Sequence, residues 1–331
     1  ENPAVRKEII DILNFWLDKG VDGFRFDVFN MFSKVYPMQD DFAKDSFVKG
    51  APYYIDGPRM HEFLKELNEK SLSLYDSYTV GESYHPSREA ALEYVSEASH
   101  ELDTIFSFGH LDSDNIKGKK FFPKPLDLLQ FKDGLLGPQR DTYGRGWNTL
   151  VLENHDNPRS VSRFSIDTKH FRYEAASMLA TVTYMGFGTP FIYQGQEAGI
   201  INTEFRNIDE LKDPVSHFVY DLMRSYGIPA PAAFRFIRYG ARDHARVPMQ
   251  WDNSVNGGFN EGHEPWQCVN PRYMEINVMN DIKNPKSVYR YYQKLLKVRK
   301  SDDTFIYGET AEFDHKNRSV IAYSRTYEGN R

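Results

Sequence analysis

The sequence predicts a parallel α/β fold, a (β/α)8 TIM barrel, and three observations predict it. Short apolar runs alternate with stretches of helical period, the pattern that successive βα units leave. Three of those runs end on acidic motifs: Gly23-Phe24-Arg25-Phe26-Asp27, Val80-Gly81-Glu82 and Glu153-Asn154-His155-Asp156. The C-terminal tips of barrel strands, where the βα loops converge, are where such folds build active sites. Finally, 331 residues suffice for one barrel of roughly 250 residues with a smaller domain.

The elements follow in order. Asn2-Pro3 opens a helix with Pro in its first turn, and Val5, Ile9, Ile12, Leu13 and Trp16 recur with helical period. Gly20 ends it, and Val21 to Val28 reads as a strand. Pro58 to Glu69 reads as a helix, Tyr78-Thr79-Val80 as a strand, Arg88 to Ser96 as a helix and Thr104 to Phe108 as a strand. After a Pro-rich loop come a helix over Leu126 to Leu136, a strand over Thr149 to Leu152, a helix over His170 to Met185 and a strand over Pro190 to Tyr193.

Five strands are too few to close an eight-stranded barrel, so the chain is expected to carry the C-terminal five. Residues 202–284 loosen into Gly, Pro, Asn and Trp, as in a long excursion at one face. Ser287 to Arg299 is a periodic helix. Beyond it, Glu312-Phe313 and Val320 to Ser324 read as the opening strands of an all-β domain. The expected organisation is a barrel segment over 1–303 and the start of a β-sandwich over 304–331.

Composition narrows the class. A net charge of −6, with Lys and Arg interleaved among Asp and Glu, argues against a nucleic-acid partner. Cys268 is the only cysteine, which excludes an intrachain disulfide and a Cys-rich metal site. The long uncharged stretch from Ala175 to Gln196 is broken by Gly186, Gly188 and Pro190, so no membrane span is expected. A lone cysteine and no visible targeting segment fit a cytoplasmic location, and a monomer is expected. No phosphate loop, dinucleotide fingerprint or metal-spaced histidine pair occurs. His61, His85, His100, His110 and His170 read as structural or solvent-facing residues. Asn317-Arg318-Ser319 is a glycosylation sequon by pattern alone.

The three acidic motifs fit cleavage of a glycosidic bond. An acetal needs a proton on the leaving oxygen and negative charge opposite the oxocarbenium-like centre, which two carboxyl groups supply. Arg25 lies two residues before Asp27, so along a strand both side chains share a face. A guanidinium there favours the ionised carboxylate that a nucleophile requires. Glu82 has no cation adjacent in sequence, which suits a general acid. His155 and Asp156 are candidates for gripping hydroxyls. Taken singly each motif is weak; their order along the chain carries the specificity.

In that order the motifs resemble glycoside hydrolase family 13, the α-amylase family, over essentially the whole chain. Its second, third and fourth signature regions match Asp22 to Asn30, Val80 to Ser83 and Glu153 to Asp156. Within it the oligo-1,6-glucosidase and α-glucosidase group shares Gly57-Pro58-Arg59-Met60-His61-Glu62-Phe63 and Asn157-Pro158-Arg159. The group also shares Tyr193-Gln194-Gly195-Gln196-Glu197 and Arg242-Asp243-His244-Ala245-Arg246-Val247-Pro248-Met249-Gln250-Trp251.

The resemblance implies that Asp27 is the nucleophile, Glu82 the acid/base and Asp156 the transition-state stabiliser. Arg25 and His155 would line the subsite of the cleaved sugar, with Arg246 at its far wall. Val28 accompanies α-1,6 preference in this group, whereas Ala or Thr accompanies α-1,4. The implied substrates are small α-glucoside oligosaccharides, with no cofactor and no metal. A calcium ion would belong only to sequence upstream of Glu1.

Two positions depart from the pattern: Gly109, where many α-glucosidases carry glutamate, and Ser83, where Met or Thr is common. Rival expectations are an α-1,4-preferring α-glucosidase and trehalose-6-phosphate hydrolase, the latter disfavoured by the lack of a basic cluster near the motifs. A sucrose isomerase lacks support because no Arg-rich loop lies between Ala198 and Asp213. A catalytically inactive transporter-partner homologue is disfavoured because all three carboxylates are present.

Overall fold

The computed structural model describes residues 2–40 and 50–330. The chain divides into two compact units. One comprises Glu1–Ser107, Gly137–Thr149 and Phe187–Thr189; the other comprises Phe108–Leu136, Leu150–Gly186 and Pro190–Arg331.

The first unit opens with helix Pro3–Asp18, whose N-terminus is capped as the sequence predicts. Asn2 Oδ1 accepts the Ala4 N–H, and Pro3 occupies the first turn. Strands β1 (Gly23–Phe26), β2 (Tyr78–Glu82) and β3 (Thr104–Phe106) follow, with helices Met60–Lys70 and Arg88–Val95 in the crossovers. The three strands are parallel in the order β1-β2-β3, and the register sets Arg25 beside Val80 and Phe26 beside Gly81. That register brings the end of β1 level with the end of β2, so the residues leaving both strands emerge together. Phe29, Met60, Leu64, Ala90, Tyr94, Val95, Leu102 and Ile105 form the core over this sheet.

The predicted strand over Val21 to Val28 is shortened at both ends. At its start Gly23 has φ +154 and no room for a Cβ, because the Tyr78 backbone lies against it. At its end Val28 leaves the extended region altogether, with φ 45 and ψ 38. Apolar character alone cannot distinguish a strand residue from the first residue of a tight turn.

In the second unit, β4 (Asn115–Ile116) and β5 (Lys119–Pro123) form an antiparallel hairpin. This segment reads in sequence as a Pro-rich loop, since Lys119-Lys120 and Pro123 mask its strand character. Phe121 from the hairpin is buried in a core with Phe205, Leu211, Val219, Met223, Ala233, Ile237 and Val247. The 202–284 excursion is therefore not loose. Helices Pro214–Ser225 and Ala230–Gly240 give it a hydrophobic centre, with Val219 and Met223 on one helix and Ala233 and Ile237 on the other spaced four apart.

Strands β6 (Thr149–Val151) and β7 (Thr189–Phe191) pair with each other, and each begins in the first unit and ends in the second. Helices Arg172–Tyr184 and Val288–Lys300 contribute Leu179, Ala180, Tyr184, Tyr292 and Leu295 to the second unit's larger core. The chain ends on an antiparallel pair, β8 (Glu309–Phe313) and β9 (Ala322–Thr326). Among the described residues no helix is long and apolar enough to cross a membrane.

Gly81 is the tightest point under the acidic strand ends. A Cβ there would lie 2.8 Å from Leu102 Cδ1 and closer still to the Phe29 ring. Gly81→Ala is expected to destabilise the protein by about 1–3 kcal/mol, seen as a lower urea midpoint at unchanged slope. An unchanged midpoint would show that Phe29 moves aside freely.

Candidate active site

Arg25 joins the first two predicted carboxylates. Its Nη1 donates to Asp27 Oδ1 at 2.8 Å, and its Nη2 donates to Glu82 Oε2. Period-two alternation puts Arg25 and Asp27 on one face, and the parallel register brings Glu82 alongside. The expectation that Glu82 has no cation beside it fails for a simple reason: its partner comes from the neighbouring strand. What separates the carboxylates is exposure. The Asp27 side chain is 70% exposed and that of Glu82 19%.

Val28, the candidate specificity residue, stands between Asp27 and a 3-10 turn over Phe29–Met31 in the left-handed conformation. For a β-branched residue this is a true outlier. It stores about 1–3 kcal/mol and persists only where surrounding contacts over-determine it. Val28 is thus a turn residue and not a strand residue.

The remaining predicted residues gather in the second unit. Asp156 Oδ1 accepts from Arg242 Nη1 at 3.1 Å and from Arg246 Nη2 at 2.8 Å. His155 Nε2 lies 3.5 Å from Asp156 Oδ2, and Arg246 Nε donates to the His155 carbonyl at 2.9 Å. The Asp156 N–H donates to Asn154 Oδ1 at 2.9 Å, which fixes the turn. Glu153, first residue of the same motif, turns inward. It is buried, pairs with Arg159 at 3.0 Å and accepts from the Ser160 N–H and hydroxyl. Its role is to anchor the loop and not to meet substrate.

Sequence reasoning missed Arg242. It grips Asp213 with both Nε (2.7 Å) and Nη2 (2.6 Å) while donating to Asp156, and these bonds raise its pKa further above the ordinary arginine range. Asp213 in turn stays below the usual carboxylate range: burial opposes ionisation there, and the Arg242 fork outweighs it. The signal was available, because Arg242 and Arg246 are four apart and helix Asp243–Arg246 puts such residues on one face.

Lys120 of β5 was also missed. Burial, then the Arg242 charge, pushes its pKa down to about 8, and Asp156, Asp213 and Arg246 also act on it. Lys120, Arg242 and Arg246 therefore form a cationic group around Asp156, correcting the expectation that no basic cluster accompanies the motifs.

Of the histidines read as structural or solvent-facing, His110 is held in the core. It is bonded to the Val151 carbonyl at 2.8 Å, and burial pushes its pKa down to about 4. Among the described residues His61, Glu93 and Glu101 are grouped closely enough to reach a cation. The Lys65 ammonium, 3.4 Å from Glu101 and 3.6 Å from Glu93, already supplies the compensating charge.

Paired carboxylates at strand tips are the arrangement that glycosidic-bond cleavage calls for, and comparison with known proteins gives the family. Residues 1–308 match the family described as alpha amylase, catalytic domain. The chain is 43% identical over 329 residues to an oligo-1,6-glucosidase of Parageobacillus thermoglucosidasius, covering 98% of this chain and 58% of that protein. It superposes on Bacillus licheniformis trehalose-6-phosphate hydrolase with TM-score 0.92 at 38% identity, covering 98% of this chain and 58% of the other. Its likeness to isomaltulose synthase from Erwinia rhapontici NX5 has TM-score 0.93 at 37% identity, over 99% and 58% of the two chains. The chain belongs to the α-amylase family, glycoside hydrolase family 13, whose catalytic domain is a (β/α)8 barrel. It spans somewhat under three fifths of the length of these relatives.

Lys120 yields a pH-dependent prediction. Its pKa is about 8 in the fold against 10.5 free, so the unfolded chain binds the proton more tightly. Stability should therefore fall as pH drops from 10.5 towards 8, then level off below 8. Lys120→Met is expected to raise Tm at pH 7, by up to roughly 3 kcal/mol in stability, with the gain vanishing towards pH 10.5. A gain independent of pH would contradict this assignment.

Proposed function

We propose that the protein is a retaining, exo-acting α-glucosidase that hydrolyses terminal α-1,6 bonds of short isomalto-oligosaccharides. The observation that carries this reading is Arg25 bridging Asp27 and Glu82 at the tips of adjacent parallel strands. Glu82 donates a proton to the leaving oxygen while Asp27 attacks the anomeric carbon, giving a β-glucosyl-enzyme. Glu82 then takes a proton from water as that water displaces Asp27, and the α configuration is restored. Asp156, steadied by Arg242 and Arg246, is left with Oδ2 lone pairs for sugar hydroxyls, and His155 is exposed beside it. This chemistry needs no organic cofactor. We take the five strands β1, β2, β3, β6 and β7 to be the last five of the family's barrel.

Val28 supports the α-1,6 preference through the group pattern, and its strained turn directly follows the nucleophile. A second reading, hydrolysis of trehalose 6-phosphate, gains support from the cations Lys120, Arg242 and Arg246, which suit a phosphorylated sugar.

The intact protein should be assayed for kcat/KM on isomaltose, maltose and trehalose 6-phosphate, with Asp27→Asn as the blank. Isomaltose is expected to lead and Asp27→Asn to abolish turnover; a lead for trehalose 6-phosphate would favour the second reading, and activity in the blank would sink both. Glu82→Gln should retain far more activity on glucosides with good leaving groups than on isomaltose. Equal losses on the two would remove Glu82 from the acid role.

A further inference from the structure

Beyond the strained turn at Val28, a buried amide ties together the two loops that leave the acidic strands. Asn30 has no exposed surface. Its Nδ2 donates to the Tyr84 carbonyl at 3.0 Å, and its Oδ1 accepts the Tyr84 N–H at 2.9 Å. Asn30 is three residues past Asp27 and Tyr84 is two past Glu82. Strand pairing cannot hold these loops, since β1 has ended at Phe26 and β2 at Glu82. The Asn30 side chain continues the ladder in its place.

The amide is itself held. Its Nδ2 also donates to Asp56 Oδ1 at 3.0 Å, and the Asp56 N–H donates to the Asn30 carbonyl at 2.9 Å. Asp56 Oδ1 accepts the Tyr94 hydroxyl at 2.8 Å, and Oδ2 accepts the Ser87 N–H at 3.1 Å. Tyr94 is fully buried, edge-on to Phe29 and stacked on His61. The Asn30 amide nitrogen is thus held by Asp56, itself anchored by the buried Tyr94, while both its amide nitrogen and its oxygen grip the Tyr84 backbone, and Val28 sits between this clamp and β1.

We propose that Asn30 is a positioning residue which, backed by Asp56 and Tyr94, sets the spacing between Asp27 and Glu82 and keeps Val28 in its left-handed turn. This rests on the roles given to the two carboxyls above. Retention requires them about 5–5.5 Å apart, and misplacement of about 1 Å can cost on the order of 100-fold in rate. Without the amide the strained turn can relax, and Asp27, adjacent to it, moves with it. Proton delivery and nucleophilic attack then lose their common geometry.

The test compares isomaltose with an aryl α-glucoside of good leaving ability, in the intact protein and in Asn30→Ala, Tyr94→Phe and a packing control, Leu64→Ala. Asn30→Ala is expected to lower kcat on isomaltose by roughly 10–100-fold while KM stays within about threefold, and to lower the aryl glucoside rate markedly less. Tyr94→Phe, which deletes only the hydroxyl on Asp56, should show the same split more weakly, and carries the test if Asn30→Ala does not fold. Leu64→Ala should cost stability without the split. Unchanged kcat in the clamp variants, or equal losses on both substrates matching Leu64→Ala, overturns the positioning role. A parent protein inactive on every α-glucoside overturns the α-glucosidase reading, and the positioning role with it.

Discussion

Adjacent strands run about 5 Å apart, and two carboxylates at that spacing repel by roughly 3 kcal/mol at an effective dielectric near 20. Nothing in strand pairing compensates for that. The Arg25 guanidinium does, since each of its contacts attracts by roughly 4 kcal/mol on the same scale, trimmed on the Asp27 side by solvent. The attraction outweighs the repulsion, so Asp27 and Glu82 can share one region of surface. Gly81 lets Phe29 press beneath the pair, and the Asn30 amide joins the loops above it. These features all serve to keep two like charges at a fixed separation.

The second unit solves a related problem by other means. Asp156 faces two guanidiniums presented four residues apart, one of which is clamped to Asp213. Asp243 organises that clamp by accepting the Lys212 and Asp213 N–H groups and the Gln267 amide. The long excursion supplies all of these residues, and its hydrophobic centre of Phe205, Val219, Met223 and Ile237 gives them a rigid base. A segment that reads as irregular in sequence thus orients a carboxylate.

Much of this was legible before the structure. The helices at Pro3–Asp18, Arg88–Val95 and Val288–Lys300 follow apolar period and capping, and their bounds differ from expectation by a residue or two. The motif residues were recognisable because strand ends and carboxylates coincide. What stayed hidden depended on partners distant in sequence. Arg25 reaches Glu82 across 57 positions and Arg242 reaches Asp156 across 86, and no local pattern encodes either. The β5 strand was masked by lysines, one of which, Lys120, is half-buried beside Arg242 and Asp156. Val28 misled because a β-branched residue is ordinarily evidence for extended backbone.

The central claim is that Asp27, steadied by Arg25, attacks the anomeric carbon. A mechanism-based fluorinated α-glucosyl fluoride, which forms the glucosyl-enzyme faster than it is hydrolysed, tests it directly. After incubation with the intact protein, peptide mapping by mass spectrometry should find the sugar on the peptide containing Asp27, with turnover lost in step with labelling. Label on any other carboxylate, or full turnover with no adduct, would contradict the account.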